Sequence, residues 1–225
     1  MIIVSVIIAV MVGALIWLDR VYVFQFMISR PIVLCFILGL IMGNMYIGLL
    51  LGASLELLWL NAPPVGAYLP NDETFCAIVA SPVAILAALS LDAPSAVGLA
   101  LVLSIPFSMV GRSVDTHIRT INQELLPECT ENIERNIRHV MRKSLIRSYV
   151  YALISIGLST AVLCGVVLST KDILPNYVIT ALSYMPFVSI VIGLAGLIAK
   201  DLPKLSQAGI FALGVAVVLM MTWIL

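Results

Sequence analysis

Apolar residues run along this chain in blocks of bilayer length, and the places where the blocks fail carry most of the information. The apolar segments are 1–18, 31–60, 75–91, 94–111, 149–169, 176–199 and 206–225. Each is at or near the ~20 residues a helix needs to cross a membrane. Pro31 suits the first turn of a helix, and Asp92 with Pro94 forms a cap and an early helical residue. Pro82 and Pro106 fall inside helices and are expected to kink them. Gly39 and Gly43, and again Gly48 and Gly52, are four apart, a spacing that lets membrane helices approach closely. Residues 1–18 have no basic stretch before them and no small-residue cleavage site after them, so a removable signal peptide is not expected. Trp17 sits where an interfacial anchor belongs. The predicted fold is an all-α integral membrane protein: one domain of about six to eight crossings or hairpins.

Two stretches break the pattern. In Gly48–Asp72, GLLLGASLELLWLNAPPVGAYLPND, an apolar helix carries Glu56 and Trp59 and then meets Pro63 and Pro64. Neither proline donates a backbone hydrogen bond, and each pushes its predecessor out of helical geometry. A broken or re-entrant helix is therefore expected over residues 48–74. Irregular backbone at membrane depth is tolerated where protein buries it or where it lines a watery cavity. The second stretch, 112–148, holds seven of the twelve Lys and Arg and five of the twelve Asp and Glu. Beyond Pro127, residues Ile133, Ile137, Val140, Met141 and Leu145 recur on one helical face, and Glu131–Arg135 and Glu134–Arg138 are favourable i, i+4 pairs. This predicts an amphipathic surface helix, cytoplasmic by the positive-inside rule. Its apolar face packs on the membrane domain or at the lipid interface, or docks a partner.

Composition narrows the class. The chain is 62% hydrophobic and 11% charged with mean hydropathy +1.14, against about 25% charged for a soluble domain. Zero formal net charge gives no basic footprint for nucleic acid. Cys35, Cys76, Cys129 and Cys164 form no close pair, and His117 and His139 lie in the charged stretch. Neither set has metal-site or redox spacing, so no metal or cofactor is expected.

Glu56 is the leading site candidate, because an intramembrane carboxylate marks function by default. A carboxylate backed by amides can hydrogen-bond a polar ligand, and an aromatic face adds an apolar contact. Trp59, i+3 from Glu56, shares its face. Asp72 is the second carboxylate, Asn44 and Asn71 are supporting amides, and Gln25 is a further candidate. Alternatives stand beside each assignment. Glu56 could be a structural ion pair with Arg30 or Arg20, Asp72 a cap for the helix after it, and Trp59 an interfacial anchor.

Over Gln25–Asp72 the chain resembles the membrane component IIC of the mannose/fructose/sorbose family of bacterial sugar phosphotransferase systems. The resemblance rests on Phe24-Gln25-Phe26, Arg30-Pro31, Gly43-Asn44 (where the family usually has Asp), Gly52 to Glu56, Gly66-Ala67 and Pro70-Asn71-Asp72. It implies a multi-pass subunit of the bacterial inner membrane that pairs with a second membrane component, IID. Together they move a hexose or related sugar, which cytoplasmic IIB phosphorylates, fed by IIA. It also implies that the phosphoryl-accepting residues lie on IIA and IIB, so this chain is expected to carry no catalytic residue. Two rivals from other classes are an ion- or proton-coupled transporter using Glu56 alone and a non-transporting scaffold.

Overall fold

The structure is a computed structural model describing residues 2–60, 69–125, 133–170 and 173–199, with Gly209 and Ala212. The described residues form helices and connecting turns. The chain opens with α1 (Ile2–Trp17) and a 3-10 turn, Leu18–Arg20. Next come α2 (Pro31–Ile41), α3 (Met45–Trp59), α4 (Glu73–Ala87), α5 (Ala93–Ser104), α6 (Phe107–Gln123), α7 (Ile133–Thr170) and α8 (Asn176–Ala199). Residues 61–68, which hold the predicted Pro63-Pro64 break with Gly66, lie outside the described residues, as do Pro127, Cys129, Glu131 and nearly all of segment 206–225. The helix before that break stops at Trp59, and the next begins at Glu73.

Residues 31–60 are not one helix. They fold as a hairpin, α2 against α3, turning at Met42–Asn44. Gly43 takes φ +81°, a conformation L side chains resist, and the Asn44 side chain caps α3 by accepting from Ile47 N at 3.2 Å. At 11 and 15 residues, the arms reach about 16 and 22 Å, short of the ~30 Å hydrocarbon core. The glycines close the hairpin. A Cβ on Gly39 would lie 3.1 Å from Gly48 Cα, one on Gly48 would collide with the Cys35 carbonyl, and one on Gly52 would lie 2.8 Å from Ile32 Cα. Gly48→Val should therefore cost about 1–3 kcal/mol through overpacking. Gly165→Ala on α7, where a Cβ meets nothing within 4 Å, should be neutral or slightly stabilising. Thermal unfolding of both purified variants checks the contrast.

Short α4 is the centre of the molecule. Residues Phe75 to Ala84 are all buried, and the helix touches α1, α2, α3, α5, α6 and α7. Six of its fifteen residues are alanine, serine or cysteine, small side chains that let neighbouring backbones come close. Among the described residues, the helices long and apolar enough to cross a membrane are Ile2–Arg20, Asn136–Thr170 and Asn176–Leu197. The α5–α6 pair, bent by 45° at Ile105-Pro106, adds a fourth if it counts as one span. The expected kink at Pro106 is there, but the helix continues past residue 111 to Gln123. Segment 112–148 is likewise not a separate surface helix. Its second half is continuous with the span after it, in the 38-residue α7. Ile137 and Met141, on the predicted apolar stripe, stay exposed. Finally, α8 braces the hairpin: a Cβ on Gly193 would strike the Leu57 carbonyl, and one on Gly98 of α5 would strike that of Leu182.

Candidate functional site

Three helix ends meet at the base of the hairpin: the start of α2, the last turn of α3 and the start of α4. Each supplies one charged side chain. Pro31 disfavours helical geometry at the residue before it, and Arg30 is accordingly extended (φ −65°, ψ 137°). Its guanidinium bridges two carboxylates. Nε lies 3.3 Å from Glu56 Oε1 and Nη1 lies 3.0 Å from Glu73 Oε1. The Arg30 side chain is 42% exposed, Glu56 17% and Glu73 18%. The cluster is thus partly open, with two anions sharing one cation.

Directly behind it lies a closed lock. The Asp72 side chain is 0% exposed. Its Oδ2 accepts from Trp17 Nε1 at 2.7 Å and pairs with Arg20 Nη1 at 2.9 Å, while Oδ1 caps α4 by accepting from Phe75 N at 2.9 Å. The Asp72 backbone N–H donates to Ser108 O at 2.9 Å. This one residue therefore ties α1, α4 and α6 together. Gly111 makes the fit possible, since a Cβ there would lie 2.7 Å from Asp72 Cβ.

The loop between α1 and α2 is held by a second buried carboxylate. Asp19 accepts from the backbone N–H groups of Phe26, Ile28 and Ser29 at 2.8, 2.9 and 3.2 Å. Thr74 Oγ1 donates to Ser29 O at 3.0 Å, joining the loop to α4. Phe24, Gln25 and Met27 adopt positive φ of 55°, 55° and 63°, conformations that cost roughly 1–3 kcal/mol each and persist only when the surroundings enforce them. Asp19 supplies that enforcement, and the loop ends by delivering Arg30 to the cluster.

A family model, the sorbose-specific IIC component of the phosphotransferase system, matches residues 3–225. The chain belongs to that family. The mannose-specific EIIC component of Escherichia coli K12 is 26% identical over 97 residues, covering 43% of this chain and 34% of that protein. The sorbose-specific EIIC component of Klebsiella pneumoniae is 32% identical over 97 residues, with the same coverage. The matched stretch is thus about a third of the length of these curated relatives. The fold is that of the solved mannose transporter ManYZ in complex with microcin E492. The TM-score is 0.59 at 21% identity, covering 96% of this chain and 84% of that one. With its long apolar helices, this IIC chain is a multi-pass membrane protein.

Within this IIC fold the sequence-predicted residues divide into distinct places. Glu56 is in the open cluster, paired with Arg30, the ion-pair partner the sequence allowed for it. Trp59, one turn on, is partly buried against the core. Asp72 is the cap that the sequence also allowed, and no atom of its side chain is open to solvent. Asn71 beside it is half-buried. Asn44 caps the opposite end of α3, twelve residues from Glu56 and so about 18 Å along the helix. Gln25 is exposed, and its Nε2 donates to Val21 O at 3.3 Å. Arg30 was visible in the sequence as the ion-pair partner of Glu56 and as part of the Arg30-Pro31 motif, whereas Glu73, the cluster's third member, carries no local signal for it.

Proposed function

We propose that this chain is the sugar-translocating subunit of a phosphotransferase system of the bacterial inner membrane, working with a IID subunit and with cytoplasmic IIB and IIA. The observation that carries this is the Glu56–Arg30–Glu73 cluster, set where three helix ends meet in a family of sugar-system components. A sugar diol can donate one hydroxyl to a carboxylate and accept at another from the guanidinium. Charged partners make such bonds roughly twice as strong as neutral ones. Glu56 and Glu73 are the acceptors in this reading, Arg30 is the donor and Trp59 the nearby apolar face. Asn71 is a polar group beside it, and Gln25, on the loop that leads to Arg30, is a further polar candidate. Asp72 and Asn44 hold the frame by capping α4 and α3. The basic end of α7 faces the cytoplasm, where the sugar meets IIB.

The test is uptake of labelled hexoses by cells that express this chain with its neighbouring IID, IIB and IIA components. Sugar should accumulate as the phosphate ester, and only when phosphoenolpyruvate is available. Accumulation of free sugar driven by a proton or sodium gradient would refute the proposal in favour of an ion-coupled transporter. Absence of any uptake, with all components present in the membrane, would favour a scaffold.

A further inference from the structure

The long helix α7 does more than cross the membrane. Its 38 residues extend about 57 Å, nearly twice the ~30 Å hydrocarbon core. Tyr149–Thr170 alone is 22 residues, about 33 Å, and fills that core. With the span set on this apolar part, residues 136–148 stand beyond the hydrocarbon edge. This stretch, NIRHVMRKSLIRS, has four Arg or Lys and no Asp or Glu. On one of its faces His139, Arg142, Lys143, Ile146 and Arg147 line a cavity of about 630 Å³. Arg147 is fixed at the inner end, where its Nη1 donates to Ile121 O at 3.2 Å. At 1.5 Å per residue, Arg147, Lys143 and Arg142 stand about 3 to 10 Å above the hydrocarbon edge. The headgroup layer is about 5–8 Å thick on each side, within reach of such long side chains.

We propose that this groove binds the headgroup of an anionic phospholipid, with Arg142, Lys143 and Arg147 around the phosphate. Depth and mixed chemistry select lipid over an acidic protein. Ile146 lines the groove itself, is exposed and stands about 4–5 Å above the hydrocarbon edge. A basic site with an exposed apolar side chain at headgroup depth matches a phosphate attached to acyl chains. Basic groups immediately outside a span recognise anionic lipid in this way. The inference does not depend on the sugar reading or on which side of the membrane this end of α7 faces.

The test is lipid retention by the full chain, purified from nanodiscs of phosphatidylcholine doped with phosphatidylglycerol and measured by native mass spectrometry. The intact chain should retain phosphatidylglycerol over phosphatidylcholine, and added salt should weaken the retention. Arg142→Gln/Lys143→Gln removes two charges near the surface, each contributing about 1 kcal/mol, so affinity should fall roughly thirtyfold. The charge-keeping variant Arg142→Lys/Lys143→Arg should retain the lipid, and thermal unfolding of both variants beside the parent separates lost affinity from lost stability. Equal retention by the parent and the charge-removed variant would overturn the proposal. Displacement of the lipid by millimolar inorganic phosphate would assign the groove to a free anion instead and would also overturn it. So would a parent chain that retains no anionic lipid but binds the cytoplasmic IIB protein through the same two residues.

Discussion

Glu56→Gln is expected to abolish most sugar binding while leaving the protein folded. Glu56 pairs with Arg30 at 3.3 Å, but Arg30 is 42% exposed and is also held by Glu73 at 3.0 Å. Removing the Glu56 charge therefore leaves the guanidinium with a carboxylate partner and with water. The cost is near that of an exposed ion pair, about 1 kcal/mol or less, and well below the ~3–5 kcal/mol of a broken buried pair. Glutamine keeps the shape and one acceptor oxygen. In the proposed reading it loses a charged hydrogen bond to the sugar, about 1.5–3 kcal/mol, or roughly ten- to a hundredfold in dissociation constant. Arg30→Gln should differ, because it leaves Glu56 and Glu73 without their shared cation and so destabilises the hairpin base more than Glu56→Gln does. Sugar affinity and thermal unfolding, measured on one purified complex, separate the two effects. A large loss of stability in Glu56→Gln with unchanged affinity would reduce Glu56 to a clamp for Arg30 and remove it from the sugar site.

Much of the helix map was legible because its signals are local. Pro31 starts α2 and Asp92 caps α5, both predictable from the geometry each residue imposes on its own turn. The hairpin within 31–60 was not legible from hydropathy, which is equally apolar for one long helix and for two short ones. Its signal was the Gly43-Asn44 pair: a residue tolerant of positive φ followed by a capping amide. The length of α7 was hidden for the opposite reason. Charges interrupt an apolar run without interrupting a helix, so the amphipathic stretch and the span appear separate in sequence and are one rod in space. At the site, Glu56 and Asp72 stood out because carboxylates are rare in such surroundings. Arg30 was legible as a partner for Glu56; the partners of Asp72 were not, and Arg20, also offered to Glu56, pairs with Asp72 instead. Trp17 reaches Asp72 across 55 positions, and no periodicity links them. Trp17 has the sequence context of an interfacial anchor, yet it is 2% exposed and donates inward.

Asp72→Asn should produce the largest loss of stability in the chain. Three donors converge on the Asp72 carboxylate: Trp17 Nε1 and Arg20 Nη1 on Oδ2, and Phe75 N on Oδ1. An amide has one acceptor oxygen and an NH₂ group. If its oxygen stays toward Phe75, the NH₂ faces the Trp17 and Arg20 donors. If it flips, the α4 cap is lost and the NH₂ faces the Phe75 N–H. Either orientation leaves a buried donor without an acceptor and Arg20 without its counter-charge. The site is packed too closely for rearrangement, with Gly111 against both Asp72 and Phe75. The expected cost is about 3–5 kcal/mol, a large share of the roughly 5–15 kcal/mol that stabilises a typical domain. Trp17→Phe removes one of the three donors and should cost less, about 1.5–3 kcal/mol. Arg20→Gln with Asp72→Asn should be sub-additive, because each change already removes the same ion pair. Unfolding midpoints and membrane yield of the four variants test this. An Asp72→Asn protein that melts with the parent, or a strictly additive double variant, would show that the lock at the start of α4 does not hold α1, α4 and α6 together.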